Sequence, residues 1–183
     1  MFSTTATSFS PRPLQNTELE ITPPNLSHGG QMWQIAKDSQ ELDLNSSYMY
    51  LLFARDFSES SRVGIVDGMV VAFVLAYRRA EDPSCLFVWQ VAVSPRYRGA
   101  GLARRMLDDL ISSSTEGEHP IQSVETTVTE DNIASRRLFQ RLAARWKTSI
   151  HTRSLFDESH FPDRHEAELL HQIGPIDPVK SAP

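Results

Sequence analysis

A chain of 183 residues with 40% apolar side chains can build one ordinary core and is short for two, so one domain is expected over residues 17–176. With 23 acidic against 18 basic residues the net charge is −5, a field that repels nucleic acid and favours no membrane surface, but suits a cationic small substrate. The single cysteine, Cys85, excludes an intramolecular disulfide framework, argues against a cysteine-held zinc, and fits a reducing, cytoplasmic setting.

Residues 1–16, MFSTTATSFSPRPLQN, lack the basic and apolar regions of a secretory signal and read as a disordered tail. No window reaches the roughly 18 apolar residues of a membrane span. The period-two alternation of TELEIT, residues 17–22, predicts a first strand. Ser27 is placed to cap a helix carrying Met32, Trp33, Ile35 and Ala36. A second helix is expected over NSSYMYLLFARDF, with Asn45 or Ser46 as its cap. In RVGIVDGMVVAFVLAYRR the pair Asp67-Gly68 has the chemistry of a two-residue type I′ turn, which predicts an antiparallel hairpin.

LFVWQVAV, residues 86–93, is apolar almost throughout, as expected of a strand covered on both faces near the centre of a sheet. Leu102, Met106, Leu107, Leu110 and Ile111 then recur at helical spacing, with Arg104, Arg105, Asp108 and Asp109 turned elsewhere. QSVETTVT, residues 122–129, reads as a strand, and the helix after it carries Ala134, Leu138, Phe139, Leu142, Ala143 and Trp146 on one face. Two weaker strands, near 147–153 and 166–173, flank a loop containing LFDESHFPDRH, and residues 177–183 read as a loose end. The order β, α, α, three strands, α, β, α, β, β describes a mixed α/β (α+β) chain.

The stretch RYRGAGLARRML, residues 96–107, sits between the apolar strand and the amphipathic helix. Glycine at 99 and 101 lets backbone N–H groups converge and a ligand approach the main chain, while the helix start and Arg96 and Arg98 favour phosphate oxygens. A pyrophosphate fits all of these features. A P-loop would need Lys-Ser or Lys-Thr after its glycine, and a dinucleotide fingerprint would want Gly or Ala where Arg104 stands.

With VAV before it and NIASRRLF about thirty residues after it, Arg-x-x-Gly-x-Gly between strand and helix resembles the acetyl-CoA site of the GNAT superfamily of N-acetyltransferases, over roughly residues 17–150. The resemblance implies a mainly antiparallel sheet of six or seven strands flanked by about four helices. It assigns Val91, Ala92 and Val93 to the pantetheine arm and Arg96, Arg98, Gly99, Ala100, Gly101, Leu102 and Ala103 to the pyrophosphate. Asn132 matches the residue that contacts the arm, and it serves equally as a helix N-cap. Phe139 stands where many members carry the tyrosine that protonates the departing thiolate. A thiol of pKa near 8.5 is a tolerable leaving group without it.

Three further stretches, LDLNSSYMYLLFARDF, LFVWQVAVSPRYRGAGLARRML and SLFDESHF with HEAELLHQIGP, resemble the diaminobutyrate acetyltransferases of ectoine biosynthesis over about residues 18–176. That resemblance implies acetyl transfer from acetyl-CoA to the γ-amine of L-2,4-diaminobutyrate in a homodimer. A lysine-like amine of pKa about 10.4 costs about 4.6 kcal/mol to deprotonate at pH 7, which a base or desolvation must partly recover. Within the matching stretches Asp43 and Glu168 suit the two ammonium groups, Trp89 a cation–π wall, and Tyr48 and His165 a hydrogen bond or proton relay. Glu168, Tyr48 and His165 are the candidates for base, with no choice made among them. Asp43 reads equally as a turn cap, Tyr48 and Trp89 as core, and Glu168 as part of a solvated strand face.

His160, His165 and His171 match no zinc spacing, so no metal is expected. Arg136, Arg137, Arg141 and Arg145 form a basic strip read as a solvated face, with the adenosine 3′-phosphate as the alternative. Two rival functions remain: acetylation of another amine, such as a polyamine, an aminoglycoside or a protein terminus, and a non-catalytic acetyl-CoA sensor.

Overall fold

The computed structural model describes residues 19–39, 42, 44–114, 118–129, 131–162 and 165–177. The expected tail over 1–16 and Asp43 lie outside these residues. Seven strands form one sheet in the order β1-β2-β3-β4-β5-β7-β6, with four α-helices among the described residues. The chain runs β1 (Glu20–Thr22), α1 (Gly29–Ser39), α2 (Ser47–Asp56), β2 (Arg62–Val66), β3 (Met69–Arg78) and β4 (Cys85–Val93). It continues with α3 (Leu102–Ser113), β5 (Ser123–Thr127), α4 (Ile133–Arg145), β6 (Ser149–Phe156) and β7 (Glu168–Gly174). The order of elements is the one expected from the sequence.

The β2–β3 hairpin turns at Asp67 and Gly68 with φ of 51° and 75°, the left-handed pair that a type I′ turn requires. Side chains of β3 alternate between two cores. Ala72, Val74 and Ala76 join the layer under α3 and α4, whereas Phe73 and Leu75 join the layer under α1 and α2. This explains why the central strands read as nearly continuous apolar runs.

Two local expectations need correction. The N-terminal cap before α1 is Asn25, not Ser27: the Ser27 N–H donates to Asn25 Oδ1 at 2.9 Å, and a short 3-10 turn over Leu26–His28 precedes the helix. Asp108 does not face away from the core. It is 6% exposed and accepts from the indole N–H of Trp146 at 3.1 Å, because α4 packs against the face of α3 that carries it.

β4 and β5 are parallel and pair from Cys85–Ser123 to Val88–Thr126 only. β4 continues to Val93, so the β5-facing edge of Trp89 to Val93 has no strand partner. A register shift against β3, where Leu75 faces Gln90 and Ala76 faces Val88, makes Trp89 the extra residue of a bulge. A bulge bends and twists its strand, which accounts for the parting at this point.

Cys85 is buried at the start of β4, and burial pushes its thiol pKa up against a weaker opposing hydrogen bond with Ser123. The folded state therefore favours the protonated thiol, and the stability this contributes is present below the unfolded thiol's pKa and lost as pH rises past it. Native protein at pH 8 is expected to react with a disulfide reagent at least about 100-fold more slowly than urea-unfolded protein. Equal rates would show the thiol to be accessible.

Candidate active site

The parting of β4 and β5 opens a cavity of about 480 Å³. Its floor is Val91, Ala92 and Val93, and its mouth is the β4–α3 turn. Gly99 and Gly101 have φ of 80° and 75°, where a side chain is strained, and Gly101 is the N-cap of α3 with no side-chain cap bond. The first bond back into the helix is Arg105 N–H to Gly101 O at 3.0 Å. The N–H groups of Leu102, Ala103 and Arg104 thus precede the helical ladder, and all three residues line the cavity. Such donors, with the helix dipole behind them, make an anion site.

Charge reinforces that reading. Arg98, Arg104, Arg137 and Arg141 line the cavity, and among the described residues no acidic side chain does. A protein of net charge −5 therefore concentrates positive charge at this one cleft. Asn132 caps α4, its Oδ1 accepting from Ser135 N–H at 3.0 Å, and the same residue lines the cavity.

Three residues assigned to the cofactor stand apart from the cavity lining. Arg96 and Ala100 are exposed on the turn, and Phe139 is 4% exposed in the core between α4 and the sheet. Phe139 thus presents neither a hydroxyl nor a surface to the cavity. Arg104 is the residue that sequence reasoning missed; its spacing alone turned it elsewhere, but it stands three residues after the glycine cap, and its guanidinium bends back over it. The basic strip on α4 divides, with Arg137 and Arg141 at the cavity and Arg145 elsewhere.

Four of the five substrate-directed residues are described, and they come from separate elements. Trp89, at the β4 bulge, stacks on Phe53 of α2 with ring centroids 5.1 Å apart and planes at 17°. Tyr48 begins the same helix and is 65% exposed. Glu168 opens β7, two residues beyond the Thr127–Leu170 pair that ends the β5 ladder, at the end of the sheet where β4 departs. Strand alternation runs from Phe87 through Glu125 and Gln172 to Glu168, so Glu168 shares the α1–α2 face of the sheet.

His165 Nε2 lies 3.8 Å from Glu168 Oε1, and its ring stacks on Phe161 at 4.1 Å. Its Nδ1 is 2.8 Å from the Glu166 carbonyl oxygen, a contact in which Nδ1 carries the proton and Nε2 turns toward the carboxylate. A carboxylate and an imidazole thus stand together at the open end of the sheet. Among the described residues no group of three His, Cys, Asp or Glu side chains is clustered to hold a metal.

The chain matches the Acetyltransferase (GNAT) family over residues 30–144. It is 47% identical over 160 residues to an L-2,4-diaminobutyric acid acetyltransferase of Streptomyces avermitilis, covering 86% of this chain and 89% of that one. An enzyme of the same description from Halomonas elongata is 38% identical, with 86% and 82% covered. A solved diaminobutyrate acetyltransferase from Paenibacillus lautus, in complex with its substrate L-2,4-diaminobutyric acid and coenzyme A, superposes with a TM-score of 0.79 at 35% identity, covering 86% of this chain and 95% of that one.

The wall opposite the cleft holds a buried hydrogen bond. Tyr50, fully buried in α2, donates its hydroxyl to Gln90 Oε1 at 3.0 Å, and burial raises the phenol pKa. Tyr50→Phe removes the donor but leaves the acceptor, and is expected to lower unfolding stability in urea by about 1–2 kcal/mol. An unchanged urea midpoint would show that the bond contributes nothing net.

Proposed function

This chain belongs to the acetyltransferase (GNAT) family, and from that premise we propose that it moves the acetyl group of acetyl-CoA to the γ-amine of L-2,4-diaminobutyrate, giving N4-acetyl-L-2,4-diaminobutyrate and CoA. The observation that carries the cofactor half is the cleft with a free strand edge on one side, an uncapped helix start at its mouth and four arginines around it. The identity to diaminobutyrate acetyltransferases along most of the chain carries the substrate half.

Acetyl-CoA supplies the activated thioester. Its pantetheine amides pair with the open edge of β4 as an added strand would, and its pyrophosphate takes the N–H groups of Leu102, Ala103 and Arg104. Trp89 and Tyr48 wall the amine side, and Glu168 attracts the ammonium ion. Glu168 with His165 accepts the proton as the amine becomes a nucleophile. The nitrogen lone pair attacks the carbonyl carbon, the oxyanion faces N–H groups of the β4 edge, and the C–S bond breaks as the carbonyl reforms. The thiolate leaves without a protein acid, because Phe139 has no proton to give, and takes up through water the second proton that the acylated nitrogen sheds. Positioning both reactants in one complex supplies the larger share of the acceleration, with no acyl-enzyme.

The same reading places the enzyme in the cytoplasm, in ectoine synthesis and osmotic adaptation, as a homodimer. Exposed Leu44, Tyr48 and Leu51, at helical spacing beside the amine side, support a partner surface. Among the described residues no helix is long and apolar enough to cross a membrane.

CoA release from acetyl-CoA with L-2,4-diaminobutyrate, with the acetyl position read by NMR, tests the proposal. Acetylation at the γ-nitrogen, in preference to ornithine, lysine and putrescine, is the expected result. Preference for another amine would overturn the substrate, and tight acetyl-CoA binding without any turnover would favour a sensor. Glu168→Gln is expected to lower kcat by about 100-fold or more with an unchanged melting curve. For Gly101→Val, a side chain at positive φ inside the cradle is expected to weaken CoA binding more than about tenfold; wild-type affinity would remove the cradle from the site.

A further inference from the structure

Asp108 is a buried carboxylate that the reaction does not use. It lies on α3 with its side chain 7% exposed and gathers three partners. Arg104 Nη1 donates to Oδ2 at 2.9 Å, Trp146 Nε1 donates to Oδ1 at 3.1 Å, and Arg145 Nε forms an ion pair with Oδ2 at 3.1 Å. Arg104 and Asp108 are one turn apart on α3, and Arg145 and Trp146 close the far end of α4. Two arginines on one carboxylate leave the cluster with a net charge of about +1.

The orientation of Arg104 is the informative part. One corner of its guanidinium is tied to Asp108. The other edge, Nε and Nη2, faces the bare Cα of Gly101: a Cβ built there would stand 3.9 Å from each of the two nitrogens. Neither nitrogen has a hydrogen-bond partner among the described residues, and Arg104 lines the cavity. A guanidinium is a rigid planar fork, so holding one corner fixes where the remaining donors point. Left untied on an exposed helix start, the side chain would sample several rotamers and lose that entropy on binding.

We propose that Asp108 is a positioning residue: it clamps Arg104 so that the free Nε–Nη2 edge is aimed at a diphosphate oxygen over Gly101, with Arg145 and Trp146 holding the carboxylate itself in place. The inference rests on the reading of the cavity as the coenzyme A site. It adds to the backbone cradle a side-chain contact whose strength is set by a residue that never touches the ligand. The attachment of that residue to α4 also ties the cradle to the helix on the other side of the cleft.

Titration calorimetry with CoA on four proteins tests it: wild type, Arg104→Ala, Asp108→Asn and the double variant, with a melting curve for each. Arg104→Ala is expected to weaken CoA about tenfold or more, and Asp108→Asn about three- to tenfold. The decisive quantity is the coupling. In the Arg104→Ala background, Asp108→Asn is expected to change affinity by less than about twofold, although it lowers the melting temperature in both backgrounds. An equal loss of affinity with and without Arg104 would overturn the proposal and leave Asp108 a structural clamp between two helices.

Arg104→Lys provides a check that does not depend on Asp108 variants folding. A lysine keeps the charge and loses the fork, so its affinity is expected to fall toward that of Arg104→Ala, and wild-type affinity would overturn the proposal. Wild-type protein that bound no CoA would overturn the assignment of the cavity and this proposal together, an outcome distinct from intact binding with additive losses.

Discussion

Four parallel residue pairs, Cys85–Ser123 through Val88–Thr126, are the whole ladder between two half-sheets, β1 to β4 on one side and β5, β7 and β6 on the other. Everything chemical in the molecule follows from that junction being short. A parallel pair that ran on to Val93 would satisfy the edge of β4 with protein. Because it stops at Val88, the edge is available to a ligand, and α3 and α4 approach from the same side to put a helix start and two sets of arginines at the gap. The hydrophobic layer under α3 and α4 spans both half-sheets, from Val74 and Val88 to Val124 and Ile173, and keeps the gap from widening into a hinge.

The charge of the chain has to be read locally. An overall excess of acid repels polyanions that come within the roughly 8–10 Å over which salt leaves a field intact. Inside the cleft, four arginines and oriented N–H groups dominate, so a small anion held within a few ångströms meets a positive surface. The acidic remainder suits the second reactant, which arrives with two ammonium groups and one carboxylate. Arginines at the cleft and the Glu168 carboxylate beside His165 thus place opposite charges at the two ends of the proposed reaction.

Much of this was legible in the sequence because it depends on local chemistry. Asp67-Gly68 announces its turn, the glycines at 99 and 101 announce theirs, and the apolar runs of β3 and β4 announce burial on both faces. What the sequence concealed is set by tertiary contact. Ser27 and Asn25 are both good caps, and only the 3-10 turn decides between them. Asp108 looks like a solvated helix residue until Trp146, 38 positions later, supplies a buried donor. Arg104 was turned outward by helical spacing, whereas Asp108 draws its guanidinium back toward the cleft. Phe139 matched a family position, yet its ring belongs to the core, which no periodicity separates from a cavity wall on the same helix face.

The bulge at Trp89 makes the length of β4 critical in a way its composition does not reveal. Seven residues of β3, Ala72–Arg78, pair with β4 along a stretch of eight, Leu86–Val93, and Trp89 is the one left over. Deleting the bulged residue would remove the mismatch with β3, and with it the bend at which β4 turns away from β5. Insertions and deletions in the turn over residues 79–84 meet no such constraint, since that turn lies at the opposite end of the sheet. Within this strand the count of residues, and not only their identity, shapes the edge that the cleft exposes.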